Sequence, residues 1–185
     1  RYGVGYDKVD TAAAKKHNVA VTITPGANGD SVADYAVALM LGVARNVPVM
    51  DRTMKDKNQT RPQGLEIWQK TLGVIGTGRI GQGVARRCSG SDMKLLCYDT
   101  YEDEALKKDC GATYVDFDTL ITQADIITIH APLTEETRNL FQKDIFLRMK
   151  QNAIIINTAR GGIINEDDLY EALVNGEIRG AGLDM

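Results

Sequence analysis

The chain has 185 residues, 43% of them hydrophobic and 25% charged, enough for one medium-sized domain with a sizeable buried core. A net charge of −3 argues against a nucleic-acid binder, which needs a basic face, and no apolar run approaches the about 20 residues of a membrane helix. Three cysteines, Cys88, Cys97 and Cys110, without C-x-x-C spacing, argue against a disulfide framework or a metal site and for a reducing, cytoplasmic setting.

In chain order, a helix is predicted over 9–17 and a strand over 19–23. After Pro25 and Gly26 comes a long helix capped by Asp30 or Ser31. It carries Val32, Ala33, Ala36, Val37, Leu39, Met40, Val43 and Ala44, apolar around much of its circumference, as expected of a helix held between two bodies. Residues 55–70 are polar and interrupted by Pro62 and Gly64, a loop or linker. Strands follow at 71–75, 95–98, 113–115, 125–129, 153–157 and 181–183. Helical segments at 80–88, 102–108, around Phe117 to Ala124, at 144–149 and at 166–175 separate them. The stronger of these strands are continuously apolar rather than alternating, which marks strands covered on both faces. The expected fold is therefore α/β, a doubly wound parallel sheet.

Gly76, Gly78 and Gly81 form a G-x-G-x-x-G that directly follows a strand and opens a helix. Gly76 permits the tight turn, Gly78 lets backbone approach a pyrophosphate, and Gly81 lets helix and strand pack closely. Asp99 ends the next strand, where a carboxylate accepts both ribose hydroxyls of NAD and repels the 2′-phosphate of NADP. No Arg or Lys follows it directly, so NAD is the expected cofactor. Arg160 lies beyond another strand end, its planar fork of donors suited to a carboxylate or polarised carbonyl. His130, also at a strand end, reads as structural, and Cys97 as a packed core residue. The acidic run at 102–104 and the pair Asp167 and Asp168 read as helix-start charges.

Taken together, GVGYDKVD at 3–10, TPG at 24–26, TLGVIGTGRIG at 71–81, HAPL at 130–133, NTARGG at 157–162 and GAGLD at 180–184 resemble the D-isomer-specific 2-hydroxyacid dehydrogenases, in particular the phosphoglycerate dehydrogenase-like branch. The resemblance implies a Rossmann NAD-binding domain over 71–185, a crossover helix and linker over 26–70, and a remnant of a flavodoxin-like substrate domain over 1–25. It implies that Arg79 and Ile80 contact the pyrophosphate and Asp99 the ribose. Ala131 and Pro132 line the adenine or ribose side. Thr158, Ala159 and Arg160 reach the nicotinamide end, and Asp184 binds the carboxamide. Val4 and Gly5 lie on the substrate cleft, and Arg160 matches the family's catalytic arginine.

The family's acid–base histidine and its glutamate follow the GLD motif, beyond Met185, and His130 does not match that histidine. The chain thus reads as the NAD-binding piece of a longer enzyme acting on a D-2-hydroxy acid and its 2-oxo acid, such as 3-phosphoglycerate, glyoxylate or hydroxypyruvate. Alone it is expected to bind NAD without turnover, and to form a homodimer through the crossover helix. An NAD-sensing corepressor of the same fold is the alternative, and an S-adenosylmethionine-dependent methyltransferase a remoter one, because it leaves the 157–162 motif and Asp184 unexplained.

Overall fold

A computed structural model describes residues 5–6, 8–58 and 60–184. A short helix α1 (Thr11–Lys16) precedes a long α2 (Gly29–Ala44) and α3 (Val47–Lys55). Then β1 (Thr71–Ile75), α4 (Arg79–Ser89), β2 (Lys94–Tyr98), α5 (Glu104–Cys110), β3 (Thr113–Tyr114), α6 (Phe117–Gln123) and β4 (Ile126–Ile129) follow. The chain continues through α7 (Lys143–Arg148), β5 (Ile154–Asn157), a single 3₁₀ turn, α8 (Glu166–Val174) and β6 (Gly180–Leu183). The six strands form one sheet in the order β3-β2-β1-β4-β5-β6, every adjacent pair parallel.

Each strand alternates between two cores. Leu72 and Val74 of β1, Ile126 of β4, and Ile154 and Ile156 of β5 join the residues under α2, α4 and α5. Ile75, Ile127, Ile129 and Ile155 face the other way, against Leu120, Ile121, Phe146 and Leu169 of α6, α7 and α8. Both faces are therefore dry, which is why the strands read as unbroken apolar runs. Several helix starts are written locally: the side chains of Asp103, Asp116 and Asn165 accept from backbone N–H groups in the first turns of α5, α6 and α8. In the acidic run, Asp103 is that cap, while Glu102 and Glu104 both pair with Lys107.

α2 lies on the sheet through one stripe, Ala33, Ala36, Met40 and Ala44, all fully buried. Glycines allow the approach: a Cβ on Gly180 would fall 2.7 Å from Val43, one on Gly182 3.0 Å from Leu39, and one on Gly83 3.0 Å from Ala33. Arg87 of α4 crosses to Asp34 and Asp30, fastening the polar end of α2 to the glycine-turn helix. No single helix among the described residues is long and apolar enough to cross a membrane. The pair α2 and α3 passes by length and composition, but is bent by 61° and has its buried stripe on the sheet.

Two expectations are corrected. The segment 19–23 forms no strand: Val19 is 58% exposed, its N–H turns back to Ala14 O (2.8 Å), and no ladder among the described residues includes the segment. α2 is not capped by Asp30 or Ser31. It begins at Gly29, with Asn28 at the cap position and no side-chain cap bond, while Asp30 is drawn to Arg87. Beyond α2 stands a helix that no sequence expectation covers, α3, which Pro48 helps to start, its missing N–H costing nothing in a first turn.

Because Met40 is fully buried in the stripe that docks α2, Met40→Ala is expected to lower unfolding free energy by about 2–5 kcal/mol. Met54→Ala, at a side chain 70% exposed, should change it by less than about 0.5 kcal/mol. Urea denaturation of the two variants checks the contrast.

Candidate dinucleotide-binding site

The strand registers place the site. Ile75 is level with Tyr98 on one side and Ile129 on the other, Ile129 with Asn157, and Asn157 with Leu183. The residues one step beyond, Gly76, Asp99, His130, Thr158 and Asp184, therefore stand in a row at the carboxyl edge of the sheet. The ladder itself continues into this row through Gly76 N–H to Tyr98 O (2.9 Å), His130 N–H to Ile75 O (2.7 Å) and Asp184 N–H to Asn157 O (3.0 Å). The order of connections reverses between β1 and β4, so the row runs across the crevice where open α/β sheets bind ligands.

The three motif glycines do different things. Gly76 has φ of +86°, and a Cβ there would lie 2.7 Å from Ala131 N and 2.8 Å from the His130 carbonyl carbon, so backbone fills that space. A Cβ on Gly81 would overlap the Gly76 carbonyl oxygen at 2.0 Å, fixing how closely α4 crosses β1. A Cβ on Gly78 would meet nothing within 4 Å. Gly78 caps α4, whose first turn holds no acidic residue, so its free N–H groups and the positive end of the helix dipole face open space suited to an anion.

Asp99 accepts from Thr77 N–H (2.6 Å) and Thr77 Oγ1 (3.1 Å) through Oδ2, and from Tyr101 N–H (3.2 Å) through Oδ1. Burial pushes its carboxyl up, but these donors outweigh burial and hold it below the usual carboxylate range. The group is thus an anion across the neutral pH range.

Asn157 is fully buried and braces the turn after β5, donating to Arg160 O (2.8 Å) and accepting from Ala159 N–H (2.9 Å). Thr158 and Ala159 are half-buried and Arg160 is exposed with its guanidinium on Ala159 O (2.8 Å). Ala131 and Leu133 pack on the core while Pro132 is exposed. Ile80 turns its side chain to the core under α4. Arg79 is exposed and its guanidinium lies over Gly26, where a side chain would overlap it. Gly5 is half-buried, Asp184 exposed, and Val4 falls outside the described residues. The row therefore brings Gly76, Asp99, Ala131, Thr158, Arg160 and Asp184 to one edge.

His130 bonds Thr128 Oγ1 through Nε2 (2.8 Å), and burial lowers its pKa to about 4. A neutral imidazole locked to a fully buried threonine is a structural group, as the sequence indicated. Cys88 and Cys97 are buried, their thiols pushed by burial up to about 11 and about 12, which makes them packing residues and not nucleophiles.

Two buried polar atoms in or beside the row, His130 Nδ1 and Thr158 Oγ1, have no hydrogen-bond partner among the described residues. Together with the open cradle at Gly78 and the ionised Asp99, they fit an elongated polar ligand with an anionic centre. Thr77, Gln82, Tyr114 and Asn157, which also shape the site, carried no motif signal of their own. Only Thr77 and Asn157 lay inside recognised strings, as spacer and strand end.

The sheet order, glycine turn and strand-end carboxylate define a dinucleotide-binding domain of the doubly wound class. The chain belongs to the D-isomer-specific 2-hydroxyacid dehydrogenase family: residues 37–185 match the family described as D-isomer specific 2-hydroxyacid dehydrogenase, NAD binding domain, which gives NAD as the cofactor. It is 43% identical to a D-3-phosphoglycerate dehydrogenase of Archaeoglobus fulgidus, with 100% of this chain and 36% of the relative aligned. It is 40% identical to a glyoxylate reductase of Korarchaeum cryptofilum, over 100% of this chain and 58% of that protein. Apo D-lactate dehydrogenase from Escherichia coli superposes with a TM-score of 0.92 at 34% identity, covering 100% of this chain and 60% of that one. The chain thus spans less than two thirds of the length of these relatives.

The glycines separate fold from binding. Gly81→Ala should cost on the order of 1–3 kcal/mol of stability. Gly78→Ala should leave stability within about 0.5 kcal/mol while weakening NADH more than about tenfold, since only the ligand needs that space. Thermal melts beside NADH titrations read both.

His130 also sets a pH dependence. Its folded pKa lies below the unfolded value, so the unfolded chain binds the extra proton between about pH 6.5 and 4, and stability falls as pH drops through that window. The cost reaches roughly 3 kcal/mol below pH 4. His130→Gln should flatten this part of a stability–pH profile measured by urea denaturation.

Proposed function

We propose that this chain is the cofactor-binding part of an enzyme that interconverts a D-2-hydroxy acid and its 2-oxo acid. The relatives named as D-3-phosphoglycerate dehydrogenase and glyoxylate reductase support a small hydroxy or oxo acid as substrate. 3-Phosphoglycerate, glyoxylate and hydroxypyruvate are the candidates. The carrying observation is the row of strand ends, which sets the glycine turn and Asp99 at one side of the switch point and Thr158, Arg160 and Asp184 at the other.

In this reading the N–H groups of Arg79 and Ile80 and the Arg79 side chain hold the pyrophosphate. Asp99 takes the ribose hydroxyls, and Ala131 and Pro132 bound the adenosine side. Thr158, Ala159 and Asp184 hold the nicotinamide end. When bound, the nicotinamide supplies or accepts the hydride. Arg160 orients the substrate carboxylate and polarises its carbonyl, a role for a fixed planar donor fork. Gly5, with Val4 beside it, belongs to the substrate cleft. The catalytic proton donor is assigned to sequence outside this chain, so the chain alone binds NAD without turnover.

The reading also divides the chain into a substrate-domain remnant at 1–25, the α2–α3 crossover at 26–70 and the NAD domain at 71–185, in a cytoplasmic protein. It gives α2 a homodimer contact. Supporting that contact, α2 leaves Tyr35 and Leu41 exposed, and an apolar groove of about 380 Å³ runs between α2, Val47, Pro48 and Leu183.

NADH and NADPH titrations of the chain test the proposal. Saturable binding that favours NADH is expected, with Asp99→Ala weakening NADH and narrowing the preference. A folded chain that binds neither nucleotide, or an unchanged NADH to NADPH ratio in Asp99→Ala, overturns the assignment.

A further inference from the structure

Tyr114 is the last residue of β3, level with Cys97 of β2. Its hydroxyl accepts from Asp103 N–H (2.9 Å) and donates to Thr77 Oγ1 (2.9 Å). The Thr77 hydroxyl in turn lies 3.1 Å from Asp99 Oδ2, the oxygen that also takes Thr77 N–H at 2.6 Å. The ends fix the direction of this chain. A backbone N–H can only donate and an ionised carboxylate can only accept, so each hydroxyl proton between them points towards Asp99. Gln82 of α4 closes the ring through Nε2, donating to Thr77 O (3.0 Å) and Asp103 Oδ2 (2.9 Å), while Asp103 Oδ1 caps α5 by accepting from Leu106 N–H (2.8 Å). Thr77, the spacer of the glycine turn, is thereby held by its side chain and its carbonyl and is 5% exposed.

The result is an asymmetric carboxylate. Oδ2 is saturated by Thr77, whereas Oδ1 has longer contacts, to Tyr101 N–H (3.2 Å) and Thr100 Oγ1 (3.3 Å), which a ligand hydroxyl can displace.

We propose that Tyr114, acting through Thr77, is a positioning residue for cofactor choice: it locks Asp99 with one oxygen turned inward and the other presented to the ribose diol. This rests on the role proposed above for Asp99. A carboxylate so fixed accepts a diol without reorganisation and cannot swing away from a 2′-phosphate, so the hydroxyl chain sharpens discrimination as well as affinity.

The test is a double-mutant cycle on this chain, with NADH and NADPH titrated against wild type, Tyr114→Phe, Asp99→Ala and the double variant. Tyr114→Phe is expected to weaken NADH about three- to tenfold, the value of one hydrogen bond, with a smaller loss for NADPH, so that the preference narrows. In the Asp99→Ala background the same substitution should have no further effect. Thr77→Val, which removes the middle hydroxyl while keeping the backbone N–H, should reproduce Tyr114→Phe and serves if that variant folds poorly. Equal losses for both nucleotides, or an undiminished loss in the Asp99→Ala background, would show that Tyr114 merely supports the turn. If Asp99→Ala itself leaves the preference unchanged, the ribose role of Asp99 fails, a result separable from failure of the relay.

Discussion

The in-register parallel ladder is the constraint on which this molecule depends. Parallel strands with no stagger at Ile75, Tyr98, Ile129, Asn157 and Leu183 force the next residue of each strand onto one line. Residues far apart in sequence, Asp99 and Asp184 among them, become parts of one edge without any direct contact between them. A one-residue slip in any pair would move a site residue along its strand. It would also turn that strand's buried side chains to the wrong core, and since both faces are dry, no slipped register is tolerated.

Close backbone approach is the second requirement, and it is met by deleting side chains rather than by adding contacts. At Gly76 and Gly81 backbone already occupies the space a Cβ would need. At Gly180 and Gly182 the missing Cβ makes room for Val43 and Leu39 of α2, and at Gly83 for Ala33, letting α2 lie close against β6 and α4. Gly78 stands apart, because the space beside it is free. The distinction marks where the fold ends and the ligand begins.

The polar groups obey the same economy. Asn157 and Thr77 are buried; Asn157 braces the loop that follows its own strand, and Thr77 holds Asp99 at the end of the neighbouring strand β2. A strand end at the candidate site is thus held by a buried polar residue beside it: Asn157 beside Arg160, Thr77 beside Asp99. Burial makes such bonds costly to break and so rigidifies the loop.

Continuous apolar runs, helix-start charges such as those at 102–104, and the glycine spacing made the sheet, most helices, the turn and the strand-end position of Asp99 legible from sequence, because these features act within a few residues of themselves. Their order and spacing likewise pointed to the family that residues 37–185 match. The segment at 19–23 misled, since an apolar run becomes a strand only where a ladder takes it in, and among the described residues none does. The start of α2 also differs from the sequence reading: the helix begins at Gly29 after an Asn28 that makes no side-chain cap bond, and Asp30 lies inside the first turn, facing Arg87. The Tyr114–Thr77–Asp99 chain could not be read from sequence at all. It joins three elements through groups with no local signature, and only the packing of β3 beside β2 and of the glycine turn above them brings those oxygens within hydrogen-bond reach.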